Sequence, residues 1–175
     1  MTDAPADPAP SPADPGSPAD APGRGPDATA DPPTDPEVAD LVVRLGMRPH
    51  PEGGWYAETW RHQAAPGERP AGTAIYYLLA AGQRSHWHRV DATEIWHHYA
   101  GAPLRLAVQA GDDPTATIVL GPDVAAGQVP QVIVPAGAWQ AADPTGAWAL
   151  VGCTVTPGFT FAGFEMAPPG WSPPR

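Results

Sequence analysis

The stretch Ser85–Gly101, SHWHRVDATEIWHHYAG, carries four of the chain's six histidines together with Trp87, Trp96, Tyr99 and Glu94. In a strand, residues two apart share a face. His86 and His88 are therefore expected on one side, with Trp87 and Arg89 opposite. After the RVDAT turn, Glu94, Trp96 and His98 share a face, and Ile95, His97 and Tyr99 take the other. Folded as a hairpin, the two segments bring His86, His88 and Glu94 together inside a barrel. Two imidazoles and a carboxylate suit Fe, Mn, Ni, Zn or Cu and leave positions open for substrate. The same groups also suit proton transfer without a metal.

Working outward, the flanking sequence reads as a series of short strands. GWYAETWR (54–61), GTAIYYLLA (72–80), LRLAVQA (104–110), TATIVL (115–120) and VPQVIVP (129–135) are strand-like, as are AWQAA (138–142), AWALVGCTV (147–155) and FTFAGFEMA (159–167). Clusters of Gly, Pro and Asp separate them, the rhythm of an all-β sandwich or barrel. One helix precedes the strands. Asp35 caps it, Pro36 and Glu37 occupy its first turn, and Val38, Leu41, Val42 and Leu45 form one face. Gly46 closes it.

Composition divides the 175 residues. Residues 1–36 hold 11 of the 26 prolines, seven Asp and a single Arg, and no aromatic residue. Such a segment cannot bury enough apolar surface to offset the entropy of ordering, so residues 1–34 are expected to be a disordered tail. A domain over 35–167 and a Pro-rich C-terminal tail over 168–175, with Trp171 able to anchor it, complete the expected organisation. The net charge is −10, of which the first 36 residues contribute −6. Every basic residue is Arg, a hint of a GC-rich bacterial genome. No basic patch supports nucleic-acid binding. No apolar run has the length of a membrane span or the form of a signal peptide. Cys153 is the one cysteine. It reads as a buried core residue and fits a cytoplasmic protein.

Motifs in this domain resemble a known superfamily. Gly82, His86, His88, Glu94 and Gly101 are similar to the first cupin motif, although five residues separate His88 from Glu94 where three or four are usual. Pro135 and Gly137 in VPAGAWQAA match the second motif, and Gln140 stands where the fourth metal ligand would sit. A neutral amide oxygen is a poor ligand for such metals. HPEGGWYAETWR, AIYYLL, WHRVDATEIWHHYAG, LGPDVAAGQVPQVIVPAGAWQAA and ALVGCTVTPGFTFAGFE together resemble the Cupin-5 (DUF985) family over roughly residues 40–167. The family pattern places its histidine at His97, puts an aromatic where this chain has His98, and does not consistently carry His86. The resemblance implies a double-stranded β-helix, or jelly roll, in a homodimer, with a fold like that of RmlC-type sugar-nucleotide epimerases.

The functions this implies diverge. In an isomerase or epimerase acting on a small polar or sugar-type metabolite, His88 is the base, Glu94 its orienter or a second acid–base group, and Tyr77 the proton donor. Glu58, Trp96, His98, Gln140 and Arg84 are the candidate substrate-binding residues. In a metal-dependent dioxygenase or lyase, His86, His88, Glu94 and Gln140 are the candidate ligands for Fe, Mn, Ni or Zn. A non-catalytic module holding a metabolite in the barrel is the third reading. Fold alone does not name a substrate.

Overall fold

The structure, a computed structural model, describes residues 33–173. The expected tail of residues 1–34 lies, apart from Pro33 and Thr34, outside them. The first element, α1 (Pro36–Arg44), starts where the capping pattern predicts. Asp35 Oδ1 accepts hydrogen bonds from the backbone N–H of Glu37 at 2.8 Å and of Val38 at 3.4 Å. Val38 is fully buried against Met47, Trp55 and Leu78, while Leu41, Val42 and Leu45 pack around this cluster. The helix thus seals one flank of the barrel with its apolar face.

Eleven strands follow: β1 (Arg48–Pro49), β2 (Trp55–Arg61), β3 (Thr73–Ala80), β4 (Ser85–Val90), β5 (Thr93–Gly101) and β6 (Leu104–Gln109). Then come β7 (Ala116–Leu120), β8 (Gln131–Val134), β9 (Trp139–Pro144), β10 (Trp148–Thr156) and β11 (Phe164–Met166). They form two antiparallel sheets, ordered β1-β2-β3-β10-β5-β8 and β11-β4-β9-β6-β7. The fold is the jelly roll with one short helix that the sequence predicts. β4 and β5 are consecutive in the chain yet lie in different sheets, so their inward side chains face one another across the interior instead of pairing as a hairpin.

One expected strand is shorter than its pattern. FTFAGFEMA contains a single turn of 3-10 helix, Phe161–Gly163, before β11, because Gly163 N–H closes back on Thr160 O at 3.1 Å. At the C-terminal end, Trp171 packs its ring on Trp139 at 4.5 Å between centroids and edge-on to Trp87 at 6.3 Å.

Between the sheets, Tyr77, Leu79, Trp96, Leu104, Leu106 and Val151 form the centre of the main core. Each fully buried aliphatic side chain of this kind contributes about 1.5–3 kcal/mol relative to exposure. Tyr77 and Tyr76 divide as alternation requires, Tyr77 inside the barrel and Tyr76 outside against Tyr99 at 5.9 Å. Among the described residues no helix is long and apolar enough to cross a membrane.

Candidate active site

One end of the barrel opens into a cavity of about 1210 Å³. Tyr56, Trp60, Phe159 and Phe164 give it aromatic walls, and His50, Glu52, His88 and Glu94 bring ionisable groups to it. All four polar side chains are nearly withdrawn from solvent; His88 is 2% exposed and Glu94 7%.

The local cause of this arrangement is a bulge in β4. Ser85 pairs with Ala142 and His88 with Gln140, so three steps along β4 match two along β9. The extra residue breaks the two-residue alternation. Ser85 and His88 both point inward, and His86, expected beside His88, is turned out to solvent. The expected convergence of His86 with His88 and Glu94 does not occur.

His86 still shapes the site through its backbone. Its N–H donates to Glu52 O at 2.9 Å, which pins the loop between β1 and β2 against β4. Its carbonyl lies 2.8 Å from His88 Nδ1. A carbonyl can only accept, so Nδ1 carries the proton and Nε2 of the neutral ring is the basic atom. Glu52 Oε2 lies 3.2 Å from the same Nδ1, and Glu52 Oε1 accepts from Ser85 Oγ at 3.1 Å.

Nothing in the strand pattern marked Glu52 or His50 as site residues. They sit on a loop without strand periodicity. The legible signal is the pair Gly53–Gly54 that follows, with φ of 110° and 69°. A Cβ on Gly53 would stand 2.2 Å from Arg84 O, and one on Gly54 2.6 Å from Leu78 O. Only glycine lets this loop lie on β3 and β4 and deliver Glu52 to His88. His50 reaches the same carboxylate, its Nδ1 being 3.7 Å from Glu52 Oε1, and meets Tyr56 edge-on at 4.6 Å.

Burial dominates the protonation of the cluster. Desolvation pushes the carboxyls of Glu52 and Glu94 above their ordinary range, opposed by His50 for Glu52 and by His88 for Glu94. Desolvation also pushes His88 and His50 down, opposed by Glu94 and Glu52 respectively. The imidazoles are therefore held neutral, and the carboxyls are drawn toward their protonated forms. Cys153, buried against Glu94, is pushed well above an ordinary thiol, mainly by burial, and is no nucleophile in this state.

Behind the cavity floor runs a buried chain, Trp96 Nε1 to Gln140 Oε1 at 2.9 Å and Gln140 Nε2 to Glu94 Oε2 at 2.5 Å. An indole N–H can only donate, so it fixes the Gln140 amide with its oxygen toward Trp96 and its NH2 toward Glu94. The one atom of Gln140 able to ligate a metal is thereby occupied on the far side. With His86 outside as well, two of the four expected ligands do not fit a metal. Among the described residues no group of three or more His, Cys, Asp or Glu side chains is disposed to hold a metal ion.

The other expected binding residues are dispersed. Trp96 and Gln140 are each 1% exposed and support the floor from behind. Tyr77 is fully buried, its hydroxyl donating to Gly53 O at 2.7 Å, so it braces the Glu52 loop and does not line the cavity. Glu58 is at the mouth, paired with Arg61 at 2.6 Å. His98 is half-buried at the end of β5 with Nε2 3.2 Å from Ala102 O, away from the cavity wall. Arg84 is exposed outside it.

Comparison with known proteins agrees with this architecture. Residues 39–167 match the Cupin-5 family, described as Cupin superfamily (DUF985). A Shewanella oneidensis protein solved by X-ray crystallography is similar at 38% identity and a TM-score of 0.70, over 73% of this chain and 82% of that one. A hypothetical protein from Leishmania major is similar at 33% identity and a TM-score of 0.66, over 72% and 84%. Oxalate decarboxylase from Bacillus subtilis shares the fold alone, at 13% identity and a TM-score of 0.54, over 67% of this chain and 29% of that one. No curated protein matches the chain. The family match over residues 39–167 and the jelly roll agree on one assignment: the chain belongs to the Cupin-5 (DUF985) family of the cupin superfamily.

Proposed function

We propose that this cupin is an acid–base enzyme of the isomerase or epimerase kind, moving a proton on a small polar or sugar-type metabolite held in the barrel. The observation that carries the reading is His88, buried at the floor of an open cavity between Glu52 and Glu94, with its Nδ1 proton fixed by His86 O. His88 Nε2 removes a proton from a carbon next to a carbonyl, and the ring is held for this by its Nδ1–H, which faces the carbonyl of His86 and the Glu52 carboxyl. Glu94, drawn toward its protonated form by burial, donates to the carbonyl oxygen as the enediol forms; it then takes the proton of the neighbouring hydroxyl while His88 delivers its proton to the former carbonyl carbon, which completes the isomerisation. Glu52 is a positioning residue; His88 and Glu94 are the catalytic ones.

Deuterium wash-in tests this across whole classes of substrate at once. The protein is incubated in D2O with aldoses, ketoses, keto sugars and hydroxy-keto acids, and C–H signals beside the carbonyl are followed by NMR. Protein-dependent exchange in one class, lost in a folded His88→Asn variant, supports the reading. Exchange that survives His88→Asn, or none in any class, overturns it; a metabolite that co-purifies and never exchanges marks a binding protein instead. We further propose that the chain works as a homodimer in the bacterial cytoplasm. The exposed aromatic and aliphatic groups of the outer sheet face around Tyr76, Tyr99 and Ile133 support the dimer, and a monomeric mass by light scattering would refute it.

A further inference from the structure

Five of the described arginines are tied to carboxylates: Arg44 to Asp40, Arg61 to Glu58, Arg69 to Asp91, Arg89 to Glu165 and Arg105 to Asp143. Two have no such partner among the described residues, Arg48 and Arg84. Arg84 lies outside the cavity, whereas Arg48 lines it. Arg48 is also held in place. It is on β1, paired in register with Tyr56 on β2, and its guanidinium stacks 4.9 Å above the Tyr56 ring. Such stacking fixes the plane of the guanidinium while leaving its N–H edge free for a planar or tetrahedral anion. Tyr56 in turn meets His50 at 4.6 Å, and His50 adjoins Glu52, which contacts His88. One continuous wall thus runs from an unneutralised cation at the mouth to the basic nitrogen at the floor.

We propose that the cavity takes a small organic anion, whose carboxylate or phosphate group is held at the mouth by Arg48 over Tyr56. The uncharged body of the molecule extends along the Tyr56–His50 wall toward His88. This orientation separates the anionic group from Glu52 and Glu94, the two carboxyls whose burial already disfavours further negative charge nearby. Arg48 is a specificity-determining residue: without its charge, an anion entering this acidic protein meets no free cation among the described residues of the cavity. The inference deepens the acid–base reading, on which it rests only for the direction in which the body of the ligand points.

The test uses the full chain and three minimal probes at matched ionic strength: acetate, its uncharged counterpart acetamide, and inorganic phosphate. Binding is followed by the NMR shifts of Tyr56 and His50 in wild type, Arg48→Gln, Arg48→Lys and Arg84→Gln. Acetate or phosphate should shift these signals saturably and acetamide should not. Arg48→Gln should weaken the anion roughly fivefold or more, as expected for loss of a charge-assisted hydrogen bond. Arg48→Lys should restore part of the affinity, and Arg84→Gln should behave as wild type. Saturation by acetate alone points to carboxylate substrates, by phosphate alone to phosphate esters. The proposal is overturned if neither anion saturates, if acetamide binds as well as acetate, or if Arg48→Gln binds as wild type. Deuterium wash-in that persists while anion binding fails overturns this inference alone; anion binding without wash-in leaves the anion site and removes the reaction.

Discussion

Replacing Trp96 by Phe tests the buried chain that fixes Gln140. Trp96 and Gln140 are each 1% exposed, and the indole N–H donates to Gln140 Oε1 at 2.9 Å. Phenylalanine keeps most of the apolar contact but leaves that oxygen without a donor where water cannot reach it. An unsatisfied buried acceptor costs about 1–3 kcal/mol, and the void from the smaller ring adds about 1 kcal/mol. The expected loss is about 2–4 kcal/mol, or roughly 6–12 °C in Tm for a domain of this size. The assay is a double-mutant cycle by urea and thermal unfolding. Gln140→Leu removes the acceptor itself, so Trp96→Phe should cost about 1–2 kcal/mol less in that background than in wild type. If Trp96→Phe costs under about 0.5 kcal/mol, or if the two changes add within that margin, the hydrogen bond does not hold the amide. The Gln140 oxygen would then be free to turn toward the cavity.

Three shorter predictions concern the same site. His88 is held below its ordinary value of 6.5, so its contribution to stability is present above that pH and is lost as pH falls through the folded value. Glu94 is held above 4.5, so its contribution is present below that pH and is lost as pH rises through its folded value. The stability differences from wild type of His88→Asn and Glu94→Gln, measured by urea unfolding between pH 4 and 8, should therefore drift in opposite directions with pH; parallel drifts would refute the assignment. Gly53→Ala places a methyl group 2.2 Å from Arg84 O at a φ of 110° and should cost at least about 2 kcal/mol by urea unfolding. It should also disorder Glu52, and a silent substitution would show that the loop is not pinned to β4. Because His86 and Gln140 are not disposed as ligands, stripping with a strong chelator should change Tm by less than about 1 °C. A large drop that zinc or manganese reverses would mean that the donors rearrange around a metal.

The legible parts of this protein were those governed by local rules. Asp35, Pro36 and Gly46 marked the helix because capping is a short-range interaction. The strand series followed from alternation and turn residues, and parity correctly sent His88, Glu94 and Trp96 inward. Parity failed at His86 because it presumes regular pairing, and the β4 bulge is set by what β9 offers across the sheet. His50 and Glu52 escaped because a loop has no period; only Gly53–Gly54 signalled a close backbone approach. The position of Gln140 could be read from the second motif, but its orientation depends on Trp96, 44 residues away in sequence. Tyr77 faced inward as one of two adjacent tyrosines had to, yet its hydroxyl went to Gly53 O instead of the cavity, a choice made by the loop packed over it.

The central claim is that His88 is a neutral base with its proton on Nδ1. Long-range 1H–15N NMR correlation of the histidine rings at pH 7, with His88 assigned by its loss in His88→Asn, reads this directly. The structure predicts a protonated Nδ1 and an Nε2 at the shift of an unprotonated ring nitrogen, unaffected by chelator. A proton on Nε2, or a doubly protonated ring, would contradict it.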